Sequence, residues 1–391
     1  MNGATVNRER LTPPAMTYLL INYEYPPLGG GAATVSKNLA QALTCRGNRV
    51  IVLTSAYKDY RGTSNEGGIE VFRIPALRRS IHRSGIMQMT AYILSAVRRV
   101  PRIAEEYQVE RILAFFSIPG GVVARWLQTR RSIPYAVTLR GGDVPGTEPG
   151  LGIFYKVLTG LRREILRRAR YVCAPSTGLK NLSESADPIK VQVIPNGVDC
   201  DYFKPGPKTA DTTLSLLSVG RLHRQKNVSL TLQILLAIRN QFGTAATARI
   251  IGDGPEKVAL ENFARRNNLL DAIAFEGWLP RDELAAAYQS ATLLVQISSY
   301  EGMSNSMLEA LASGLPVVAS LIPENMELIS PEWNGLLFDS KEDASNIAQA
   351  IVRLHRNPER LTQMRINARE HVAARYSWDN VAEAYESSFG R

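Results

Sequence analysis

Apolar runs of strand length alternate with helical stretches along this whole chain, and glycine-containing loops follow several of the runs. That alternation restricts the chain to an α/β fold, with parallel strands joined by helical crossovers. Met16 to Asn22 is the first apolar run. A loop from Tyr23 to Gly31 follows, then a helix over Ala32 to Leu43 with Val35, Leu39, Ala40 and Leu43 on one face, then a strand at Val50–Leu53. Further strands are predicted at Gly68–Arg73, Arg111–Phe115, Tyr135–Leu139, Tyr171–Ala174 and Val191–Ile194. Lys204 to Thr213 is polar, contains proline and glycine, and reads as a linker. A second α/β unit begins at Leu214, with strands at Leu216–Val219, Ala248–Ile251, Ile273–Glu276, Leu293–Gln296 and Pro316–Ala319 and a helix over Val228 to Ile238. Ligands of parallel sheets bind at the carboxyl ends of the strands, so the loops there are the places to look for chemistry.

The stretch Ser299 to Ser320 is the richest of these. It reads as a polar loop, one short helix and a buried strand. Ser304, Asn305 and Ser306 are helix-start residues. Met307, Leu308, Ala310 and Leu311 form the apolar body, and Gly314 stops the helix. Glu301 falls in the loop and Glu309 in the first turns. In one continuous helix, eight residues would separate the two carboxylates by about 12 Å and about 80°. They converge on one ligand more easily with Glu301 outside the helix. The free N–H groups of the helix start suit a phosphate. Ser306 and Glu309 also fit a capping box, in which Glu309 only closes its own helix.

Other loops carry matching chemistry. Arg221 and Lys226 flank the start of the helix after the Leu216–Val219 strand, where two fixed cations suit a diphosphate. There is no Walker sequence. Gly29, Gly30 and Gly31 follow the first strand and allow a close backbone approach to a phosphate or a sugar. Arg140-Gly141-Gly142-Asp143 follows the Tyr135–Leu139 strand and is either ligand-facing or a loop held by an Arg140–Asp143 ion pair.

The 391 residues suit two or three domains. Charged residues are 21% and hydrophobic residues 45%, an ordinary globular composition. The first fifteen residues lack the apolar core of a signal peptide, no run is long enough to span a bilayer, and Cys45, Cys173 and Cys200 have no metal-like spacing. A cytoplasmic protein with reduced thiols is the expectation from these features. The net charge of +10 is concentrated in two basic amphipathic stretches. The first carries Arg78, Arg79, Arg83, Arg98, Arg99 and Arg102; the second carries Lys156, Arg162, Arg163, Arg167, Arg168 and Arg170. Both suit either an anionic membrane surface or two solvated helix faces. The basic runs lack interleaved aromatics, so nucleic acid is not expected as a partner.

Read together, Gly220-Arg221-Leu222 through Lys226, Ile251-Gly252-Asp253-Gly254-Pro255, Gly277-Trp278-Leu279 and the Glu301–Glu309 pair resemble the retaining, nucleotide-sugar-dependent glycosyltransferases of family 4. The glycine loop at Gly30-Gly31 and Pro195-Asn196-Gly197-Val198-Asp199 match as well, so the resemblance runs from about Tyr18 to about Phe389. It implies a GT-B architecture: two Rossmann-like domains facing across a cleft. Residues 1–205 would form the acceptor-side domain and 206–375 the donor-binding domain, with a helix at 376–391 returning to the first. It assigns the donor diphosphate to Arg221 and Lys226, the ribose to Glu309 and the transferred sugar to Glu301. Gly30, Gly31, Gly252, Trp278, Leu279, Met303, Ser304 and Asn305 would line the donor, and Arg140 and Asp143 the acceptor side. No metal and no cofactor is implied; the donor would be an NDP-sugar, with UDP or GDP expected.

Two departures from the family pattern stand out. Arg140 takes the place of a frequent histidine, and Pro323-Glu324-Asn325 takes the place of a frequent Gly-Gly. The expected activity is transfer of a sugar, with retention, to a lipid-linked or polysaccharide acceptor in cell-surface glycan synthesis, peripherally at the inner face of the membrane. The alternatives are a GT-B sugar-nucleotide epimerase or a phosphorylase, and a catalytically silent nucleotide-sugar-binding protein.

Overall fold

The computed structural model describes residues 16–78, 80, 85–147, 152–207, 213–339 and 341–390. The first fifteen residues, Arg79, Arg83, the Lys156 side chain and residues 208–212 of the expected linker lie outside the described residues. The chain divides into two compact units, Met1–Phe115 with Pro119–Ala136, and Phe116–Ile118 with Val137–Arg391.

The first unit holds β1 (Thr17–Ile21), α1 (Gly31–Cys45), β2 (Arg49–Ser55), β3 (Gly62–Glu66), β4 (Ile69–Ile74), α2 (Ile86–Glu106), β5 (Arg111–Phe115) and α3 (Gly121–Arg131), and ends within β6 (Tyr135–Thr138). Its strands run in the order β3-β4-β2-β1-β5-β6. β1 pairs in parallel with β2 on one side and β5 on the other. The strand order therefore reverses at β1, and the Gly29–Gly31 loop leaves from this switch point. Leu19, Leu20 and Ile21 have no exposed surface, as expected of a strand covered on both faces. β3 was not expected. It reads Gly-Thr-Ser-Asn-Glu, carries no apolar alternation, and is an edge strand paired antiparallel with β4.

The second unit continues with α4 (Gly152–Arg168), β7 (Tyr171–Ala174), α5 (Thr177–Ala186) and β8 (Val191–Val193), and β6-β7-β8 follow in that order. Its other sheet contains β9 (Leu214–Val219), β10 (Ala246–Ile251), β11 (Ile273–Gly277), β12 (Leu293–Gln296), β13 (Val317–Ser320) and β14 (Gly335–Phe338). The accompanying helices are α6 (Val228–Phe242), α7 (Lys257–Arg266), α8 (Arg281–Ser290), α9 (Asn305–Ala312), α10 (Pro323–Leu328), α11 (Ala344–His355), α12 (Pro358–Arg375) and α13 (Trp378–Gly390). The order is β11-β10-β9-β12-β13-β14, with parallel pairing throughout. Successive side chains of β9 enter different cores. Leu214 and Leu216 pack with α6 and α11 residues, while Leu217 and Val219 pack with α8 and α9 residues. Both faces are covered, which is why apolar residues stand on both faces of this strand.

α13 packs on the β6–β8 strands. The Tyr385 hydroxyl lies 3.1 Å from Thr138 Oγ1, Tyr171 Oη donates to Tyr385 O at 3.2 Å, and the Tyr171 and Phe389 rings meet edge-on. Among the described residues no helix is long and apolar enough to cross a membrane.

Arg78 and Arg162, from the two basic stretches, are not on the surface. Arg78 is buried, lying over the Tyr23 ring and donating to Tyr23 O (3.2 Å) and Ser55 Oγ (3.1 Å). Arg162 is buried and paired with Asp187, and Arg163 joins the same carboxylate at 2.5 Å. Both belong to the packing of their units, and the exposed basic charge is narrower than the sequence suggested.

Candidate active site

β9 and β12 are neighbours in the sheet, and the strand order reverses between them. The loops that leave their carboxyl ends hold Arg221, Lys226 and Glu301. Lys226 closes a single 3-10 turn, Arg224–Lys226, ahead of α6. The backbone joins the two loops: Ser299 N–H donates to Gln225 O at 2.9 Å, and Gln225 Nε2 donates to Tyr300 O at 2.8 Å. Lys226 Nζ then reaches Glu301 Oε1 at 2.6 Å.

Glu301 is 9% exposed and sits outside the helix, as its place in the sequence implied. Gln296, the last residue of β12, organises it. Its Nε2 donates to Glu301 Oε1 (3.0 Å) and Ser304 Oγ (2.7 Å), and its Oε1 accepts from Ser306 Oγ (2.7 Å). Ser304 is the N-cap of α9 and accepts from Met307 N–H at 3.4 Å. Cation, acid and helix start are therefore linked through one buried amide.

The capping-box reading of Glu309 does not hold. Ser304 caps the helix, and Glu309 Oε2 accepts from Tyr288 Oη of α8 at 2.9 Å. Burial pushes the Glu309 carboxyl up to about 7, against the opposing pull of Tyr288 and Arg281. Glu309 still keeps part of its surface open.

The three glycine motifs prove to be one stacked set of turns. Gly220 N–H donates to Ile251 O (2.9 Å), Leu222 N–H to Asp253 O (2.9 Å) and Gly252 N–H to Gly277 O (2.6 Å). Gly252 has φ +134°, and a Cβ there would overlap the Gly220 carbonyl oxygen. Only glycine lets the two loops approach so closely. This stack presents Arg221 and Trp278 outward. Both are exposed, while Leu279 is half-buried against the α8–α9 core. The Arg221 side chain carries no hydrogen bond or ion pair among the described residues, while its carbonyl accepts from His223 N–H at 2.8 Å.

Met303 and Asn305 meet Asn196, from the Pro-Asn-Gly turn. Asn196 Nδ2 donates to Asn305 Oδ1 (2.9 Å) and Met303 O (3.4 Å). Arg140 Nη1 donates to Asn196 Oδ1 at 2.6 Å, and Nη2 to the Tyr385 hydroxyl at 3.0 Å. Asp143 is buried; its carboxylate accepts N–H bonds from Arg140 (3.0 Å) and Ser117 (2.6 Å), while burial raises its pKa. The Arg140 guanidinium thus joins the loop after β6 to α13 and, through Asn196, to the start of α9, while its backbone N–H holds Asp143.

At the Pro323-Glu324 departure, Pro323 opens α10 and Glu324 lies in its first turn. Burial raises the Glu324 carboxyl, and Glu327 and Glu301 raise it further. In the other unit, Gly30 caps α1, Gly31 begins it, and both are exposed; Gly30 N–H donates to Glu24 Oε2 at 3.4 Å.

Sequence reasoning missed Gln296, Gln225 and Tyr288, and gave Asn196 no role. Gln296 had a signal: it is the polar end of an otherwise apolar Leu-Leu-Val strand. Tyr288 had none, since an aromatic residue at helical spacing reads as core.

Known proteins share this fold. The structure superposes on that of Anabaena HepE in complex with UDP and glucose with a TM-score of 0.76, at 19% identity over 96% of this chain and 99% of that one. The fold is GT-B, two Rossmann-like α/β units built on parallel sheets. Residues 29–202 match the family described as Glycosyltransferase Family 4, and residues 203–371 match Glycosyl transferases group 1. The chain belongs to the family 4 glycosyltransferases. Its relatives include one subunit of the phosphatidylinositol N-acetylglucosaminyltransferase of Arabidopsis thaliana, 25% identical over 97% of this chain and 83% of that one. Another is alpha-monoglucosyldiacylglycerol synthase of Streptococcus pneumoniae, 25% identical over 84% of this chain and 76% of that one.

Proposed function

We propose that the protein moves a sugar from a nucleoside diphosphate sugar to a lipid-linked or glycan acceptor, with retention at the anomeric carbon and without a metal ion. The observation that carries this reading is the Lys226–Glu301 contact beside the Ser304-capped start of α9. A cation, an acid and the free N–H groups of a helix start meet at one switch point, a combination that suits a sugar diphosphate. Arg221, exposed and without an ion pair among the described residues, supplies the second cation.

Binding of the diphosphate gives Lys226 an anionic partner in place of Glu301, which frees Glu301 to accept hydroxyls of the sugar. As the glycosidic C–O bond breaks, the leaving phosphate gains charge that Arg221, Lys226 and the α9 N–H groups stabilise. No side chain is assigned as nucleophile. The acceptor hydroxyl attacks from the leaving-group face, and its proton passes to the departing phosphate. Glu309 holds the ribose, Trp278 and Leu279 the base, and Gly252, Met303, Ser304 and Asn305 line the donor. Gly30, Gly31, Arg140 and Asp143 are assigned to donor approach and acceptor side from their loops at strand ends. On this reading residues 1–205, 206–375 and 376–391 act as acceptor domain, donor domain and returning helix.

A membrane-borne acceptor is favoured by two helices, each in its own unit. α2 exposes Ile86, Met87 and Leu94 with Arg98, Arg99 and Arg102; α4 exposes Val157 and Leu161 with Arg167 and Arg168. The two relatives above are named for phosphatidylinositol and for monoglucosyldiacylglycerol, both lipids, which points the same way.

The test follows slow hydrolysis of UDP-α-glucose and GDP-α-mannose by proton NMR. Release of the α-anomer first supports a retaining transferase; the β-anomer contradicts retention. Conversion of a donor to its epimer, or an inert bound donor, would replace this reading by the epimerase or the silent binder.

A further inference from the structure

Glu309 sits among residues that offer it almost nothing polar. Its neighbours on α9, Met307, Leu308, Ala310, Leu311 and Ala312, have no exposed surface. Tyr288 Oη, 2.9 Å from Oε2, is its hydrogen-bond donor, and no other bond to this carboxylate exists among the described residues. The Tyr288 ring is 1% exposed and held edge-on by Phe203 at 5.9 Å. Phe203 is in turn stacked edge-on with Tyr202, over which the Arg281 guanidinium lies 3.8 Å from the ring centre. The hydroxyl is therefore fixed in place by packing.

The other charged groups around α9 are engaged elsewhere. From α8, Arg281 pairs with Asp199 at 2.9 Å. From α12, Arg369 donates to Ala312 O and Phe203 O, and Arg365 donates to Ala291 O. At the end of β12, Gln296 serves Glu301, Ser304 and Ser306; at the end of β13, Ser320 serves Asn325.

We propose that Tyr288 is a positioning residue for the donor nucleotide: by occupying Oε2 of Glu309 it leaves Oε1 to accept the ribose hydroxyls, and it makes donor binding select the ionised form of Glu309. This rests on the assignment of Glu309 to the nucleoside. Ribose hydroxyls donate well to a carboxylate and poorly to a carboxylic acid. Burial holds the free carboxyl near neutral, so donor capture below that point releases a proton. Tyr288 itself titrates far above neutral, again through burial, and stays a donor throughout. The sign follows: affinity is full above the Glu309 pKa and falls by about tenfold per pH unit below it.

The experiment is calorimetric titration of UDP-glucose and GDP-mannose, whose doubly esterified phosphates do not titrate here, between about pH 5.5 and 9. The wild-type dissociation constant should be level at high pH and rise below about pH 7. Tyr288→Phe keeps the ring and removes the hydroxyl. It should move the break to higher pH while affinity at the high-pH plateau recovers to within about twofold. Glu309→Gln should bind weakly with a level profile. A level wild-type profile, or weakening by Tyr288→Phe that is equal at every pH, overturns the proposal while leaving the transferase reading intact. Failure of both donors to bind the wild type at any pH removes the donor reading and this inference with it.

Discussion

Lys226 Nζ and Glu301 Oε1 lie 2.6 Å apart, and their side chains are only 17% and 7% exposed. The contact bridges loops from β9 and β12, adjacent strands between which the sheet order reverses. A cation held this way is fixed in place before any ligand arrives.

Breaking that pair acts on turnover and on stability. Lys226→Ala should lower turnover by about 10²–10³-fold through loss of leaving-group stabilisation. It should also destabilise the fold by roughly 3 kcal/mol, because Glu301 is left buried with Gln296 as its remaining partner. The double variant Lys226→Ala/Glu301→Ala should be more stable than Lys226→Ala alone. Nucleotide release and urea unfolding read the two effects.

Arg221→Ala should separate these effects. The side chain is exposed and carries no ion pair among the described residues, so unfolding free energy should change by less than about 0.5 kcal/mol. Donor affinity should fall by about 10- to 100-fold, the worth of a charged hydrogen bond. Fluorescence titration beside thermal unfolding checks both.

The glycine stack gives a comparison within one site. Gly252 and Gly277 both have positive φ, +134° and +68°. A Cβ on Gly252 overlaps the Gly220 carbonyl, whereas a Cβ on Gly277 meets nothing within 4 Å. Gly277→Ala should cost about 1 kcal/mol, and Gly252→Ala about 3 kcal/mol or more with loss of donor binding. Equal costs in urea unfolding would show that the close approach of the two loops does not matter.

α2 carries the membrane prediction for its own unit. Replacing Arg98, Arg99 and Arg102 by Gln should weaken binding to phosphatidylglycerol vesicles by about 10²-fold, at roughly 1 kcal/mol per basic residue. Arg78 is excluded from this set because it is buried over Tyr23. Vesicle co-sedimentation at low and high salt measures it; unchanged binding would move the membrane contact elsewhere.

Much of this site was legible in the sequence because strand ends announce themselves. Apolar runs such as Leu293–Gln296 end where the polar loop begins, and Ser304 with Gly314 brackets the short helix. The rest depended on which side chain turns to which partner. Ser306-x-x-Glu309 looked like a capping box, but Ser304 took the cap and a tyrosine from another helix took Glu309. Arg140 looked like the partner of Asp143, three residues away, yet its guanidinium found Asn196 and Tyr385, far along the chain. The polar β3 had no apolar alternation to mark it, because it is exposed at a sheet edge. Arg78 and Arg162 counted as surface charge until packing showed them buried.

The most direct test of the central claim is calorimetric titration of wild type and Lys226→Ala with UDP and GDP. One nucleoside diphosphate should bind the wild type, and its affinity should fall by about 10-fold or more in the variant, as loss of a charge-assisted phosphate contact requires. Binding of neither nucleotide by the folded wild type, or equal binding by the two proteins, would contradict the assignment of this loop pair to the donor diphosphate.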